Sequence, residues 1–298
     1  MENASKALLI AAAILVVIIL IAVGMKIYSS TTGTQKVGLD TETTINDKTK
    51  TASDLAISEI TGKPAQSNPG SNTSGQKIGN VITKDNYGDY IDLGQNVVGT
   101  SATTDDWRIL YNDKAGHVYA ILADYLPNTN AAVTASGLNV VSGKTYNVNS
   151  STTRRQDLLD RLNSTTAWQS LIPKGLRSKC QVKGAVTGEI LMASYNEKYG
   201  TNLKYTSYPY LRTNPNDSSS SIDTLYMPHP GAGGYNGCYG YWLASPHAAP
   251  TNYVWYVFCD GFVNDGDYYY SPIGVCPVVS LPSDIQVTKN GTVWTVVQ

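Results

Sequence analysis

The stretch VWYVFCDGFV, residues 254–263, decides how the chain is read. Trp255, Val257, Cys259, Gly261 and Val263 alternate with Tyr256, Phe258, Asp260, Phe262 and Asn264, the two-residue period of a β-strand. The first set reads as a packed face. The second mixes aromatic, acidic and amide groups with no consistent preference for burial. Both phenylalanines of the chain, Phe258 and Phe262, lie on that second face. Such a face is either a poorly covered sheet or a binding surface, since exposed aromatics in clusters usually mark contact sites.

The neighbouring stretch DGDYYYSPI, residues 265–273, extends that surface. Tyrosine supplies large, rigid, amphipathic contact area at low entropic cost. Between Thr251 and Cys276 there is no Lys, Arg, Glu, Gln or Met, while Asn, Asp, Tyr, Gly, Phe, Ser and Cys recur. All seven are reachable from an Asn codon by replacing only its adenines. Trp255 is not, and so belongs to the fixed scaffold. Asn264 to Asp267 also look like a calcium loop, but the ligand spacing of an EF-hand is absent. Asn, Asp and Gly are simply good turn residues.

Outward from this segment the pattern is α+β. Ile78 to Val98 and Trp107 to Asp124 read as short strands, the latter broken by a turn at Asn112 to Gly116. Leu158, Leu159 and Leu162 share one face of a helix that Ser151 to Thr153 can cap. Thr165 to Leu171 reads as a short second turn. Thr187 caps a helix that ends at Gly200. Residues 284–297 form a hairpin with Asn290-Gly291 at its turn.

GYWLASP (240–246), VWYVFCDGFV and GVCPVVSL (274–281) together resemble one C-type-lectin-like family. It is the branch related to the formylglycine-generating enzyme, which includes variable proteins diversified by retroelements. Ile78 to Gly94 and Trp107 to Tyr111 resemble the first half of the same family. The resemblance implies a small twisted antiparallel sheet, two or three helices and long loops, displaying changeable side chains to a ligand. The family's last motif reads Gly-Val-Arg-Pro, and Cys276 stands here where the Arg would be.

The chain has 298 residues and a net charge of -1, with only 15% charged residues and 21 tyrosines against two phenylalanines. Near-neutral charge provides no broad footprint for nucleic acid, so none is expected as a partner. Ala7 to Met25 is an uncharged run of 19 residues flanked by Lys6 and Lys26. At roughly 28 Å as a helix, it matches the hydrocarbon core of a bilayer. Residues 1–28 therefore read as a single-pass membrane anchor and 29–76 as a Ser/Thr/Gly-rich stalk, in which Ala52 to Ile60 has the spacing of a short helix. Residues 77–298 read as the head. The low-charge, Tyr- and Asn-rich composition places that head outside the cell membrane.

The cysteines are Cys180, Cys238, Cys259 and Cys276, and they allow three full pairings. Cys238 and Cys259 flank the GYWLASP region and form the preferred disulfide, leaving Cys276 free or paired with Cys180. No zinc-type spacing exists and no Ser/His/Asp constellation is visible around His117, His229 or His247. No catalytic residue, metal or cofactor is expected. The ligand surface is expected at Tyr253, Tyr256, Phe258, Asp260, Phe262, Asn264, Asp265, Asp267, Tyr268 and Tyr270, against a protein or glycan partner. Two other classes stay open: a pilin-like structural subunit assembling through Ala7 to Met25, and a formylglycine-generating-type oxidase.

Overall fold

Residues 75–98, 106–142, 145–147, 155–228, 230, 240–248, 252–268 and 273–297 are described by a computed structural model. The anchor, the stalk up to residue 74, the cap at Ser151 to Thr153, His229, Cys238 and Tyr270 lie outside these residues. Among the described residues no helix is long and apolar enough to cross a membrane.

Ile78 to Val98 is not strand throughout. After a two-residue strand, Gln76–Lys77 (β1), the chain makes one helical turn at Ile78–Val81 (α1) and a 3₁₀ turn at Lys84–Asn86. Only Tyr90–Asp92 (β2) is extended. Tertiary contacts override the β-branched composition here. The amides of Ile78 and Gly79 donate to the carbonyls of Ile285 and Ser283 at 2.8 and 2.9 Å. The Asn112 side chain donates to the carbonyls of Gly79 and Ile82 at 3.0 and 2.9 Å, closing the turn. A Cβ on Gly79 would sit 2.4 Å from that of Ser283, so the turn packs this closely only with glycine.

Trp107–Asn112 (β3) and His117–Leu122 (β4) form the expected hairpin. Ala131–Ser136 (α2), capped by Asn130, leads to the pair Asn139–Ser142 (β5) and Thr145–Asn147 (β6). Arg155–Asn163 (α3) buries Leu158, Leu159 and Leu162, the face its spacing marks. Thr165–Trp168 (α4) and Gln181–Lys183 (β7) follow. Gly188–Tyr199 (α5) starts where the Thr187 side chain accepts the Ile190 amide and stops at Gly200, in left-handed backbone at φ 67°.

The chain then builds Gly240–Pro246 (β8), Tyr253–Phe258 (β9), Val263–Asp267 (β10), Val278–Pro282 (β11), Gln286–Asn290 (β12) and Val293–Val296 (β13). The last hairpin pairs Asn290 with Val293, so its turn is Gly291-Thr292, one residue beyond the expected Asn290-Gly291. Gly291, at φ 60°, takes the first central position.

Eight strands form one mixed sheet in the order β1-β12-β13-β2-β3-β4-β11-β7, with only β13 and β2 parallel. Strands β10-β9-β8 form a separate antiparallel sheet. The protein is α+β, but its principal sheet is large and mixed where one small antiparallel sheet was expected. The strands around VWYVFCDGFV make up the smaller sheet alone.

The two sheets meet cores of different chemistry. Ile109, Leu110, Val118, Ile121, Val279 and Leu281 fill the space along β3, β4 and β11. Around α5 and β8 the buried bulk is Tyr195, Tyr226, Tyr241, Trp242 and Trp255. The hydroxyls of Tyr195 and Tyr241 pin irregular backbone. Tyr241 donates to the Tyr226 carbonyl at 2.7 Å, and Tyr195 both donates to the Arg212 carbonyl and accepts its amide, at 2.8 and 3.0 Å. Asp223 takes Lys198 at 2.8 Å and the Tyr199 hydroxyl at 2.5 Å, clasping the 205–228 segment to α5.

Candidate functional site

Strand β9 buries Trp255 and Val257, and beyond its end Cys259 is buried as well, with Val263 opposite on β10. Trp242, Val275 and Pro277, from the GYWLASP and GVCPVVSL stretches, are also buried. The register pairs Asn264 with Tyr256 and Asp265 with Trp255, so the acidic strand lies directly beside the aromatic one.

The second face is less uniform than its sequence. Tyr253, Phe258, Asp260, Phe262, Asn264, Asp265, Asp267 and Tyr268 are half-buried, at the surface of the sheet. Tyr256 is not a surface residue: it is only 6% exposed, with its ring edge-on to Trp242 at 5.9 Å. Its hydroxyl accepts the Asn264 side-chain amide at 3.1 Å. The expectation of a displayed Tyr256 is thereby corrected: the Trp242 side chain of the paired strand β8 packs edge-on against its ring. Asn264 is in turn occupied in holding Tyr256.

The surface includes a segment that strand periodicity did not mark. After the 3₁₀ turn at Tyr205–Ser207, Tyr208 is in left-handed backbone at φ 54°. Tyr210 bridges to Phe262, joined by bonds from Leu211 to Gly261 and from Val263 to Pro209, both 2.9 Å. Tyr208 and Tyr210 are 39% and 42% exposed. The Phe262 ring lies 6.1 Å from Tyr208 and 4.6 Å from Tyr210, and the Arg212 guanidinium stands 5.0 Å over Tyr210. The Tyr208 hydroxyl donates to Asp265 at 2.9 Å, a bond that raises its pKa. Asn252 holds Asp267 in the same way across the sheet.

Beside this face opens a cleft of about 440 Å³, lined by Arg155, Tyr205, Thr206, Tyr208, Pro246, His247, Ala248 and Trp255. Trp255 lies at its centre, its ring 5.2 Å from Tyr205 at 90° and 5.1 Å from both Tyr208 and His247. Arg155 donates to the His247 carbonyl at 2.6 Å, tying helix α3 to the end of β8. The Tyr205 ring lies over Gly188, where a Cβ would stand 2.6 Å from it. Its hydroxyl donates to Glu189 at 2.7 Å, and burial followed by that bond pushes its pKa up to about 12.

The cysteines are structural in their surroundings. Cys180 is a free thiol, 2% exposed, with its pKa pushed up to about 11 by burial. It therefore does not pair with Cys276, whose Sγ donates to the Asp124 carbonyl at 3.8 Å. The pairing of Cys259 with Cys238 falls outside the described residues. Among those residues no three His, Cys, Asp or Glu side chains are grouped to hold a metal ion. His117 pairs with Asp113 at 3.2 Å at the far end of the large sheet.

No family model, curated protein or solved structure matches this chain. What the coordinates establish is an α+β protein with a large mixed sheet, and a smaller sheet whose face carries half-exposed aromatic and acidic side chains.

Proposed function

We propose that the chain is a surface-displayed ligand-binding protein, a receptor or adhesin, with a C-type-lectin-like head. In this reading the β9–β10 face contacts a protein or glycan partner, and Ala7 to Met25 anchors the chain in the cell membrane with the head outside. The observation that carries it is the row of rings formed by the exposed Tyr208 and Tyr210 and the half-buried Phe262, beside Asp260 and Asp265. Left-handed backbone costs a non-glycine residue about 1 kcal/mol. The Tyr208 ring is 39% exposed and is held in place by Trp255, Phe262 and Asp265, and a binding surface uses rigid aromatic area flanked by hydrogen-bonding groups. The head has no catalytic role and takes no cofactor or nucleic acid.

Diversification by adenine-directed retroelement mutagenesis belongs to the same reading. It is supported by the residue types at 252–268, where the half-exposed positions are Asn, Asp, Tyr, Phe and Gly and the one type adenine replacement cannot reach, Trp255, is buried. Deep sequencing of the gene from one growing clonal population tests it. Substitutions are expected in the codons of roughly 252–273, at template adenines. In displayed, folded variants they should fall at Tyr253, Phe258, Asp260, Phe262, Asp265, Asp267 and Tyr268 and spare Tyr256. A locus as quiet there as elsewhere would reduce the reading to a binding domain of fixed specificity.

A further inference from the structure

We infer that the outer edge of β10 takes up an extended, basic segment of a partner protein as a further antiparallel strand, with alternate Lys or Arg side chains opposite Asp265 and Asp267. The inference rests on the proposed binding role of this face and names the partner's chemistry. The bonds from the Phe258 amide to the Phe262 carbonyl at 2.8 Å and from the Tyr268 amide to the Asn252 carbonyl at 3.0 Å fix the parity of the ladder. Asn264 and Gly266 therefore bond β9, while Val263, Asp265 and Asp267 turn their amides and carbonyls outward. The run from Pro209 to Leu211 covers only the start of that edge. Pro209 accepts the Val263 amide at 2.9 Å but has no N–H to return. Beyond it, the Asp265 amide is met by the adjacent Asn264 side chain at 2.9 Å. Among the described residues nothing bonds the Asp265 carbonyl or either outward group of Asp267.

The outer edges of β7 and β8 are closed by contrast. The Gln169 side chain accepts the Val182 amide at 3.2 Å and donates to the Cys180 carbonyl at 2.6 Å, and β8 exchanges bonds with Gly274 and Val186. An open ladder is satisfied by the backbone of an extended peptide, and the side chains beside it select which peptide. Here that selection is by charge. Asp265 and Asp267 are half-buried and lie two residues apart on one face of the strand. Their carboxylates accept neutral donors, the Tyr208 hydroxyl and the Asn252 side-chain amide, and among the described residues no Lys, Arg or His pairs with either. A second copy of the chain docking by its own β10 would bring like charges together. Lysines two residues apart on an antiparallel strand would instead stand directly opposite the two carboxylates.

The test uses the full-length chain in a neutral detergent. The probes are a labelled peptide of alternating Thr and Lys, its counterpart with Glu for Lys, and two copies N-methylated at every Lys or at every Thr. Fluorescence anisotropy and residue-resolved hydrogen exchange are the readouts. The Lys peptide should bind saturably with a dissociation constant on the order of 0.1 mM, and the Glu peptide at least tenfold more weakly. Exchange of the Asp267 amide should slow at least tenfold when the Lys peptide is bound. In antiparallel pairing the residues opposite Asp265 and Asp267 point their own amides at β10. Methylation at Lys should therefore abolish binding, and methylation at Thr should leave it within about twofold. Asp267→Pro, which removes an outward amide, should abolish binding, whereas Asp267→Asn, which keeps it, should weaken binding severalfold. If Asp267→Pro does not fold, the two methylated peptides decide the question on the unaltered chain. Equal binding of the Lys and Glu peptides, equal effects of the two methylations, or no binding at all would overturn the strand docking. If codons 252–273 vary in the population while no peptide binds, the docking falls and the proposed receptor role stands.

Discussion

Along β3, β4 and β11 the interior is aliphatic, and each strand satisfies its backbone by pairing with the next. Around α5 and β8 the buried side chains are tyrosines and tryptophans, and much of the neighbouring backbone belongs to the irregular run from Leu203 to Met227. A buried carbonyl or amide without a ladder partner is costly, so irregular chain stays inside only if side chains bond it. Tyrosine fills volume like phenylalanine and brings one hydroxyl to that task. Tyr195, Tyr199, Tyr226 and Tyr241 all spend theirs within this region. Among the described residues the tyrosines thus divide: Tyr208 and Tyr210 turn their rings toward solvent, while Tyr195, Tyr199, Tyr226 and Tyr241 are tied into the region around α5 and β8.

The sharpest way to break this division is at the junction of the small sheet. A Cβ on Gly240 would lie 2.0 Å from the Val257 carbonyl oxygen and 3.0 Å from the Phe258 Cα, both backbone atoms of β9. Gly240→Ala should therefore destabilise the protein by about 4 kcal/mol in chemical denaturation, the range of a severe backbone clash. A change within experimental error would mean that β8 and β9 can separate freely there.

The next largest effect separates platform from display on a single strand. Tyr256→Ser should cost about 3 kcal/mol, as loss of a buried aromatic. Phe258→Ser, at a half-buried position two residues on, should cost about 1 kcal/mol. Equal losses would erase the distinction between the two residues.

Hydroxyl anchoring can be weighed against aliphatic packing directly. Tyr241→Phe removes the donor to the Tyr226 carbonyl while keeping the ring, and should cost about 2 kcal/mol because a buried acceptor is left unpaired. Ile121→Val in the aliphatic half should cost about 1 kcal/mol. If Tyr241→Phe is neutral, the tyrosine-rich region is held by ring packing alone.

The smallest effect concerns acid. Burial pushes the Glu189 carboxyl up, but hydrogen bonds from Tyr205, its own amide, Ser245 and Thr187 outweigh it and hold the pKa below the ordinary 4.5. A carboxyl depressed in the fold adds stability above its unfolded pKa and loses it as pH falls through the folded value. Wild type should lose stability slightly more steeply than Glu189→Gln as pH drops below about 4.5 in urea titrations. Parallel curves would show that Glu189 is not coupled to folding.

Several local features were legible because a single physical rule governs each. Thr187 and Gly200 bound their helix through capping and left-handed backbone, and the leucines of 158–162 face the core at helical spacing. The alternation at 254–263 gave the correct buried face. Where the register of pairing entered, the reading slipped: the final turn moved from Asn290-Gly291 to Gly291-Thr292. The burial of Tyr256 involves the Trp242 ring of the paired strand β8, and local alternation carries no information about what covers a face. The segment from Tyr205 to Arg212 has no repeating period at all. It joins the site through one bridge to Phe262 and one bond to Asp265, both across more than fifty residues of chain.

By itself, then, the amino-acid order determined which residues alternate, where helices start and stop, and that the 252–273 stretch is rich in Tyr, Asn, Asp and Gly and lacks Lys, Arg, Glu, Gln and Met. These are properties of neighbours along the chain, set by backbone geometry and local hydrogen bonding. Only the tertiary structure decided that the strands divide into a sheet of eight and a sheet of three, that Tyr256 supports while Tyr208 is displayed, and that Arg155 meets Tyr205 and His247 around one cleft. Those arrangements follow from which distant surfaces bury one another, since the free energy of burial depends on the partner as much as on the residue.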